Sequence, residues 1–487
     1  MIEVGFQPTK PTKPLTHICH CATQTSQYAG SMPGIETAPI VVALAGAVYP
    51  LLGRTLSRPL RAFYIAIAAL ALSGQLYLVG AHWQMYPAYA ALVLMTWVIW
   101  HHQPGGAFRL LALAADALCL TTVAALWIFP MFTLPRPTGP YPVGTTGPIS
   151  WTDSSRNIRG DATSEGPRRE LVVQIWYPAA PTSRSAETAR YARFKELSLA
   201  HSYLAAIRTN SFQNAPIEEE GSPYPVLIFG HRWGGSRTQN TFLTEDLASH
   251  GYIVVAVDHP LNAARTLLSD GTVLRSDRAN TLSNLEATSA SATKAAWGKE
   301  LDLWAADDRF VLDSLSESNA TRFANRLDMT RVGAVGHSFG GSASFNLLGR
   351  DPRVKSAVNL DGWTFQGLDR RTGQPMLVVY EGAAATPQPQ TGIEGALNTD
   401  DTSTVEASLK RFGGTRAYVA GTQHLDFTDQ TLFSPLQRLT FTGPIAGIRA
   451  REITRSLVLS FFNQTLRNIG EIPTYPEVKM EYWPAIK

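Results

Sequence analysis

The chain has 487 residues, 45% of them hydrophobic, 10% aromatic and 17% charged, with a net charge of +3. That length exceeds what one hydrophobic core usually fills, and the composition excludes a disordered or nucleic-acid-wrapping chain. The six Lys/Arg and three Asp/Glu of residues 1–134 account for the whole excess charge, so the rest is neutral and offers no basic stripe to a phosphate backbone.

Residues 1–36 form a polar, Pro/Thr-rich tail, expected to be flexible, that does not read as a cleavable signal peptide. His17, Cys19, His20 and Cys21 cluster there, but their spacing matches no standard zinc pattern, and neither a metal nor another cofactor is expected. The three cysteines, Cys19, Cys21 and Cys119, all precede residue 135, so the larger part of the chain has neither a disulfide nor a thiol nucleophile.

No Asp, Glu, Lys or Arg lies between Arg61 and Arg109, and 37–53 and 117–135 are equally uncharged. A bilayer core about 30 Å thick needs about 20 apolar residues per helix, which predicts four spans at roughly 37–53, 62–81, 86–102 and 109–133. An all-α transmembrane domain over 37–133 follows. Arg54, Arg58, Arg61 and Arg109 fill two of its turns, whereas the turn around His82–Tyr86 has no positive charge. By the positive-inside rule the arginine turns are cytoplasmic, and with an even number of spans everything after residue 134 is extracytoplasmic. Asp116 in the fourth span should face other helices or the boundary, since facing lipid is costly.

Residues 134–150 hold five Pro and three Gly, the composition of a linker. Beyond it short apolar runs recur at 171–178, 225–230, 252–257, 331–336, 356–360, 375–380 and 416–421, interleaved with helical patterns at 242–251, 299–315, 342–350 and 451–467. Strand and helix alternating in this way predict an α/β domain over 151–487, its mostly parallel sheet covered by helices on both faces. Segments 181–222 and 262–298 are too long for simple connections and are expected to cap a site.

At the end of the run RVGAVG stands Gly336-His337-Ser338-Phe339-Gly340-Gly341, a G-x-S-x-G elbow between strand and helix that presents Ser338 as a nucleophile. A serine hydroxyl needs a base and an orienting acid, in the chain order Ser, acid, His. His424 is the sole histidine after the elbow. Two carboxylates at strand ends compete for the acid, Asp361 in NLDGW and Glu381 in VVYEG. An oxyanion needs two amide donors: Phe339 supplies one, and Trp233 in the Gly-rich turn Gly230-His231-Arg232-Trp233-Gly234-Gly235 is the candidate for the other. Trp233, Trp363 and Phe365 are candidates to line an apolar acyl pocket.

Taken in order, VVQIWYPA, PVLIFGHRWGG, DLASHGYIVVAVDH, RVGAVGHSFGGSAS, SAVNLDGWTF and QHLDFTD resemble α/β-hydrolases of the plasma platelet-activating-factor acetylhydrolase type and their dienelactone-hydrolase-like and polyester-hydrolase-like relatives. The resemblance spans about 168–467. It implies Ser338 as nucleophile, Asp361 as acid, His424 as base, and Trp233 and Phe339 as oxyanion amides. Arg232 departs from the glycine usual there, and the four-span front has no counterpart in the secreted members. The expectation is a multi-pass, membrane-anchored serine ester hydrolase, acting on a lipid or small-molecule ester and not on nucleic acid. A catalytically dead sensor or an acyltransferase using the same groups is the alternative.

Overall fold

A computed structural model of the chain describes residues 34–101, 106–162, 165–276, 289–385 and 392–484. Nearly all of the expected tail, with its His/Cys cluster, lies outside the described residues.

Four helices come first: α1 (Gly34–Leu51), α2 (Arg58–Leu78), α3 (Tyr86–His101) and α4 (Gly106–Ile128). Each overlaps an expected span, with ends set by local chemistry. α1 stops where Gly53, at φ +68°, takes the left-handed conformation that closes helices. α2 starts earlier than expected because Pro59 fits the first turn, where no amide donor is needed. By length and composition, α2 and α4 are the two described helices able to cross a membrane, while Thr37–Leu51 is a shorter apolar helix. The 16 residues of α3 rise about 24 Å, short of a full hydrocarbon core.

The middle of this bundle is packed by Ala43, Ala47, Ala88, Ala91, Ala112 and Ala115 together with Leu92, Met95, Val98 and Ile99, all buried. Large apolar side chains stand on its outside: Leu70 is 73% exposed, Leu110 and Leu120 each 68%. Asp116 is half-buried. The arginines gather at one end, where Arg61 donates to the Trp100 carbonyl at 3.0 Å and Arg109 lies over Gly53.

The rest of the chain builds one twelve-stranded sheet. Its strands are β1 (Val143–Thr145), β2 (Ile149–Asn157), β3 (Arg168–Pro178), β4 (Thr188–Arg190), β5 (Arg208–Gln213), β6 (Tyr224–Gly230) and β7 (Ile253–Asp258). A separate hairpin, β8 (Arg265–Leu267) with β9 (Val273–Arg275), precedes β10 (Leu327–His337), β11 (Val354–Leu360), β12 (Met376–Glu381), β13 (Gly414–Val419) and β14 (Val478–Trp483). The order is β14-β13-β12-β11-β10-β6-β7-β3-β1-β5-β4, with β2 on β3. From β13 to β7 every pairing is parallel. β6 and β7 are buried at every position, as strands covered on both faces must be. Helices α5 (Thr241–Ser249), α6 (Ala290–Arg322), α7 (Phe339–Leu348), α8 (Gly392–Phe412) and α9 (Gly447–Phe462) cover it, and an apolar cluster lies on each face.

Residues 134–150 run onto this sheet as an ordered strap. Asn210 donates to the Pro135 carbonyl at 3.0 Å, the Thr138 amide to Asp246 at 2.8 Å, the Gly139 amide to Ser249 at 2.9 Å, and β1 then joins the sheet. Prolines keep the strap extended as it crosses α5 before β1 enters the sheet between β3 and β5. At its start Met131, Phe132 and Leu134 pack with Tyr191, Tyr203 and Leu432. Trp83, in the turn between α2 and α3, donates to the Ala200 carbonyl at 2.9 Å. The segment 181–222, expected as a cap, instead supplies β4, β5 and this apolar seat for the bundle. Of the other expected cap, 277–288 lies outside the described residues, and 290–298 forms the start of α6.

Candidate active site

The loops that matter leave the carboxyl ends of adjacent parallel strands, where open α/β sheets place their sites. After β10 the chain turns into α7 with Ser338 at φ +57°, ψ −123°. That strained conformation costs about 1–3 kcal/mol and is held by its surroundings. The Ser338 amide donates to the Leu360 carbonyl at 2.8 Å. A Cβ on Gly340 would lie 2.1 Å from the Gly230 carbonyl oxygen, so the elbow can press against β6 only because a glycine stands there.

Asp361 follows β11, with its own amide bonded to the Val379 carbonyl at 2.8 Å. His424 opens a short helical turn after β13 (His424–Phe427). Asp426 ties that turn down by accepting the Gln423 amide at 2.8 Å and the Gly443 amide at 2.6 Å, and burial pushes its carboxyl up to about 6.

These three loops bring Ser338 Oγ to 2.9 Å from His424 Nε2, and Asp361 Oδ2 to 2.7 Å from His424 Nδ1. A carboxylate only accepts, so the imidazole proton sits on Nδ1, and Nε2 is free to accept the serine O–H. The His424 side chain is 43% exposed while that of Asp361 is 8% exposed. Glu381 is half-buried at the end of β12 and does not reach the His424 ring: its backbone N–H donates to Asp361 Oδ1 at 2.9 Å, and its carboxylate accepts from the His424 backbone. Burial and then the Asp361 charge push the Glu381 carboxyl up.

The Arg232 carbonyl accepts from His231 Nδ1 at 2.7 Å and from the Gly235 amide at 2.8 Å. Both bonds fall on one side of the Arg232–Trp233 peptide, so the Trp233 N–H points to the other. His231 is fully buried, and burial followed by the neighbouring His259 holds its pKa down at about 3, leaving a neutral ring. Arg232 needs no glycine-only conformation; in that turn the left-handed residue is Gly234, at φ +67°. Phe339 is the first residue of α7, and its N–H therefore has no intrahelical acceptor.

Trp233, Phe339 and Phe365 belong to one aromatic cluster beside Ser338, with Trp297 and Trp304 of α6. The Trp233 and Phe339 rings meet edge to face at 5.1 Å, and Phe365 stacks on Trp297 at 5.7 Å. Trp363 is half-buried against it, its indole donating to Asn398 of α8 at 2.6 Å. Asp401, one turn further along α8, accepts the Thr364 amide at 2.5 Å and the Tyr380 hydroxyl at 2.6 Å, which clamps the loop after Asp361. Reading the sequence did not find α8, nor Gln239, whose amide reaches both Arg232 and His337. A glutamine outside any motif carries no signal of its own.

A family model described as platelet-activating factor acetylhydrolase, isoform II, matches residues 126–278 and 300–468. The platelet-activating factor acetylhydrolase of Cavia porcellus is 25% identical over 356 residues, spanning 69% of this chain and 78% of its own. Cutinase est1 of Thermobifida alba is 22% identical over 191 residues, 39% of this chain and 53% of its own. Among solved structures, a ferulic acid esterase from Streptomyces cinnamoneus superposes with a TM-score of 0.57 at 26% identity, covering 72% of this chain and 98% of that one. With more than half of its length matched by that family model, and esterases among its relatives, the chain belongs to the platelet-activating factor acetylhydrolase, isoform II family and is an ester-hydrolysing enzyme of the α/β-hydrolase type.

Proposed function

We propose that this esterase is embedded in a membrane through α1–α4 and cleaves lipid esters of short acyl chain through Ser338, His424 and Asp361. The observation that carries the chemistry is the unbroken chain from Ser338 Oγ through both imidazole nitrogens of His424 to Asp361. Ser338 Oγ attacks the ester carbonyl as His424 Nε2 takes its proton. Asp361 holds the Nδ1–H tautomer and stabilises the imidazolium. The Trp233 and Phe339 amides receive the charge on the tetrahedral oxygen. His424 then returns the proton to the departing alcohol, and water, activated by the same base, releases the acyl group from Ser338. Trp233, Trp363 and Phe365 wall the acyl side.

The substrate class draws on the relatives, one of them a probable 1-alkyl-2-acetylglycerophosphocholine esterase of Arthroderma benhamiae. Membrane embedding draws on the bundle, whose exposed Leu, Trp and Tyr side chains exceed what a soluble surface carries. With Arg54, Arg58, Arg61 and Arg109 at the end away from the hydrolase, the catalytic domain is extracytoplasmic.

Replacing Ser338 with Ala in the full chain should abolish both turnover of p-nitrophenyl acetate and labelling by a fluorophosphonate. Undiminished turnover removes Ser338 from the mechanism. A reporter phosphatase fused after residue 134 should be active; an inactive fusion inverts the topology.

A further inference from the structure

Three loops carrying the proposed machinery leave different strands: 230–235 after β6, the elbow after β10, and the His424 turn after β13. The side chains of Gln239 and His337 link them. The Arg232 amide donates to Gln239 Oε1 at 3.2 Å. Gln239 Nε2 donates to His337 Nδ1 at 3.2 Å and to Asn240 Oδ1 at 3.0 Å. His337 Nε2 reaches the His424 carbonyl oxygen at 2.7 Å.

The direction of every bond is fixed by what each atom is able to do. A carbonyl only accepts, so His337 carries its proton on Nε2 and, as a neutral ring, offers a lone pair at Nδ1. Gln239 then fits in one orientation. Flipping its amide sets an oxygen against two acceptors, His337 Nδ1 and Asn240 Oδ1, and an NH₂ against the Arg232 N–H. His337 is fully buried, with its ring centre 4.6 Å from that of His424. Burial, and then the nearby His424 and Arg232, hold its pKa well below the ordinary histidine value, so it adds no charge beside the imidazolium that forms on His424.

We propose that Gln239 and His337 are positioning residues, a side-chain tie that sets the oxyanion peptide and the backbone of the catalytic base at a fixed spacing around Ser338. The inference rests on the reading of Ser338, His424 and Asp361 given above. The tie grips Arg232 on its amide side while His231 and Gly235 grip its carbonyl, and it holds His424 by the main chain, leaving the imidazole free for proton transfer. A shift of about 1 Å in such a spacing costs on the order of 100-fold in rate.

The test uses the full chain with His337→Leu, His337→Gln and Gln239→Leu, each titrated with a fluorophosphonate so that rates are expressed per reactive serine, and Ser338→Ala at matched protein concentration. His337→Leu and Gln239→Leu should lower kcat by about 10- to 100-fold with KM within about threefold of the parent, since the tie acts on the transition state and not on substrate binding. His337→Gln presents an acceptor and a donor in the same order as the ring and should recover kcat to within about threefold. The double leucine variant should be little worse than either single one, because both cut one chain. Parental kcat per titrated serine in both leucine variants overturns the proposal, even where melting temperature or titratable fraction falls, as does a glutamine variant no better than leucine. Turnover surviving in Ser338→Ala instead condemns the underlying site reading, a separate result.

Discussion

The bundle and the hydrolase domain both bury apolar side chains, but only the bundle also turns a dense set of large ones outward. In the bundle large apolar side chains such as Leu70, Leu110 and Leu120 stand outside as well as inside, where alanines pack with Leu92, Met95 and Ile99; in the hydrolase Val254, Val255 and Leu227 are fully buried and few large apolar side chains stand outside. A surface that keeps Leu70 and Leu120 outside needs only that its residues be apolar, so many sequences serve equally well. The hydrolase depends on single atoms at single positions, such as the missing Cβ of Gly340. One region is specified by composition, the other by position.

This contrast breaks most visibly at glycines. Gly340→Ala drives a Cβ into the Gly230 carbonyl, and we expect no titratable serine and a large fall in melting temperature. Gly106, at the start of α4, has no atom within 4 Å of where its Cβ would lie, and Gly106→Ala should change neither. A parental activity in Gly340→Ala would undo the positional account. Next in size, Asp361→Asn should lower kcat by on the order of 10⁴-fold through the wrong imidazole tautomer. Glu381→Gln should stay within about tenfold, since only the backbone of Glu381 contacts Asp361. If the two variants exchange behaviours, the acid has been misassigned.

On the bundle, Leu70→Asp should cost about 2.5–3.5 kcal/mol of insertion. The outcome to measure is a smaller carbonate-resistant membrane fraction, with turnover per titrated serine unchanged in detergent. Leu70→Phe should be silent, and an equally silent aspartate would argue against lipid on that face.

The smallest effect concerns pH. Asp429 accepts the Thr241 amide at 2.7 Å, the Phe242 amide at 3.2 Å and the Tyr191 hydroxyl at 2.9 Å, and burial pushes its carboxyl up to about 7. Because the folded pKa is raised, the stability it contributes is present below the unfolded value of about 4 and is lost as pH rises through about 7. Between pH 5 and 8 the melting temperature of Asp429→Asn should therefore gain a few degrees relative to the parent. A constant difference would place the titration elsewhere.

The sequence made legible whatever is local or continuous. β6 and β7 are unbroken apolar runs, the elbow is a contiguous motif, and His424 stands alone after it. What escaped depends on neighbours. β1, β4 and β5 are short strands at one edge of the sheet, whose pairing is their main signal. α8 is polar over Thr399–Thr404 and shows only a thin apolar stripe. Asp361 and Glu381 end adjacent parallel strands, and which carboxylate meets the imidazole is settled across strands, where Asp361 reaches Nδ1 and the Glu381 side chain does not. Four apolar stretches were plain, but the lengths of α1 and α3 were set by turns the pattern left open.

The strap at 134–150 turns the junction from a leash into a bracket. Bonded to Asn210, Asp246 and Ser249 and gripped at its root by Phe132, it leaves the hydrolase no free swivel on its base. A bracket passes on torque. If the bundle sits in a bilayer as proposed, any tilt that relieves a thickness mismatch would be carried rigidly to the loops that hold Ser338 and His424. Membrane thickness would then set the angle at which those loops meet the lipid surface.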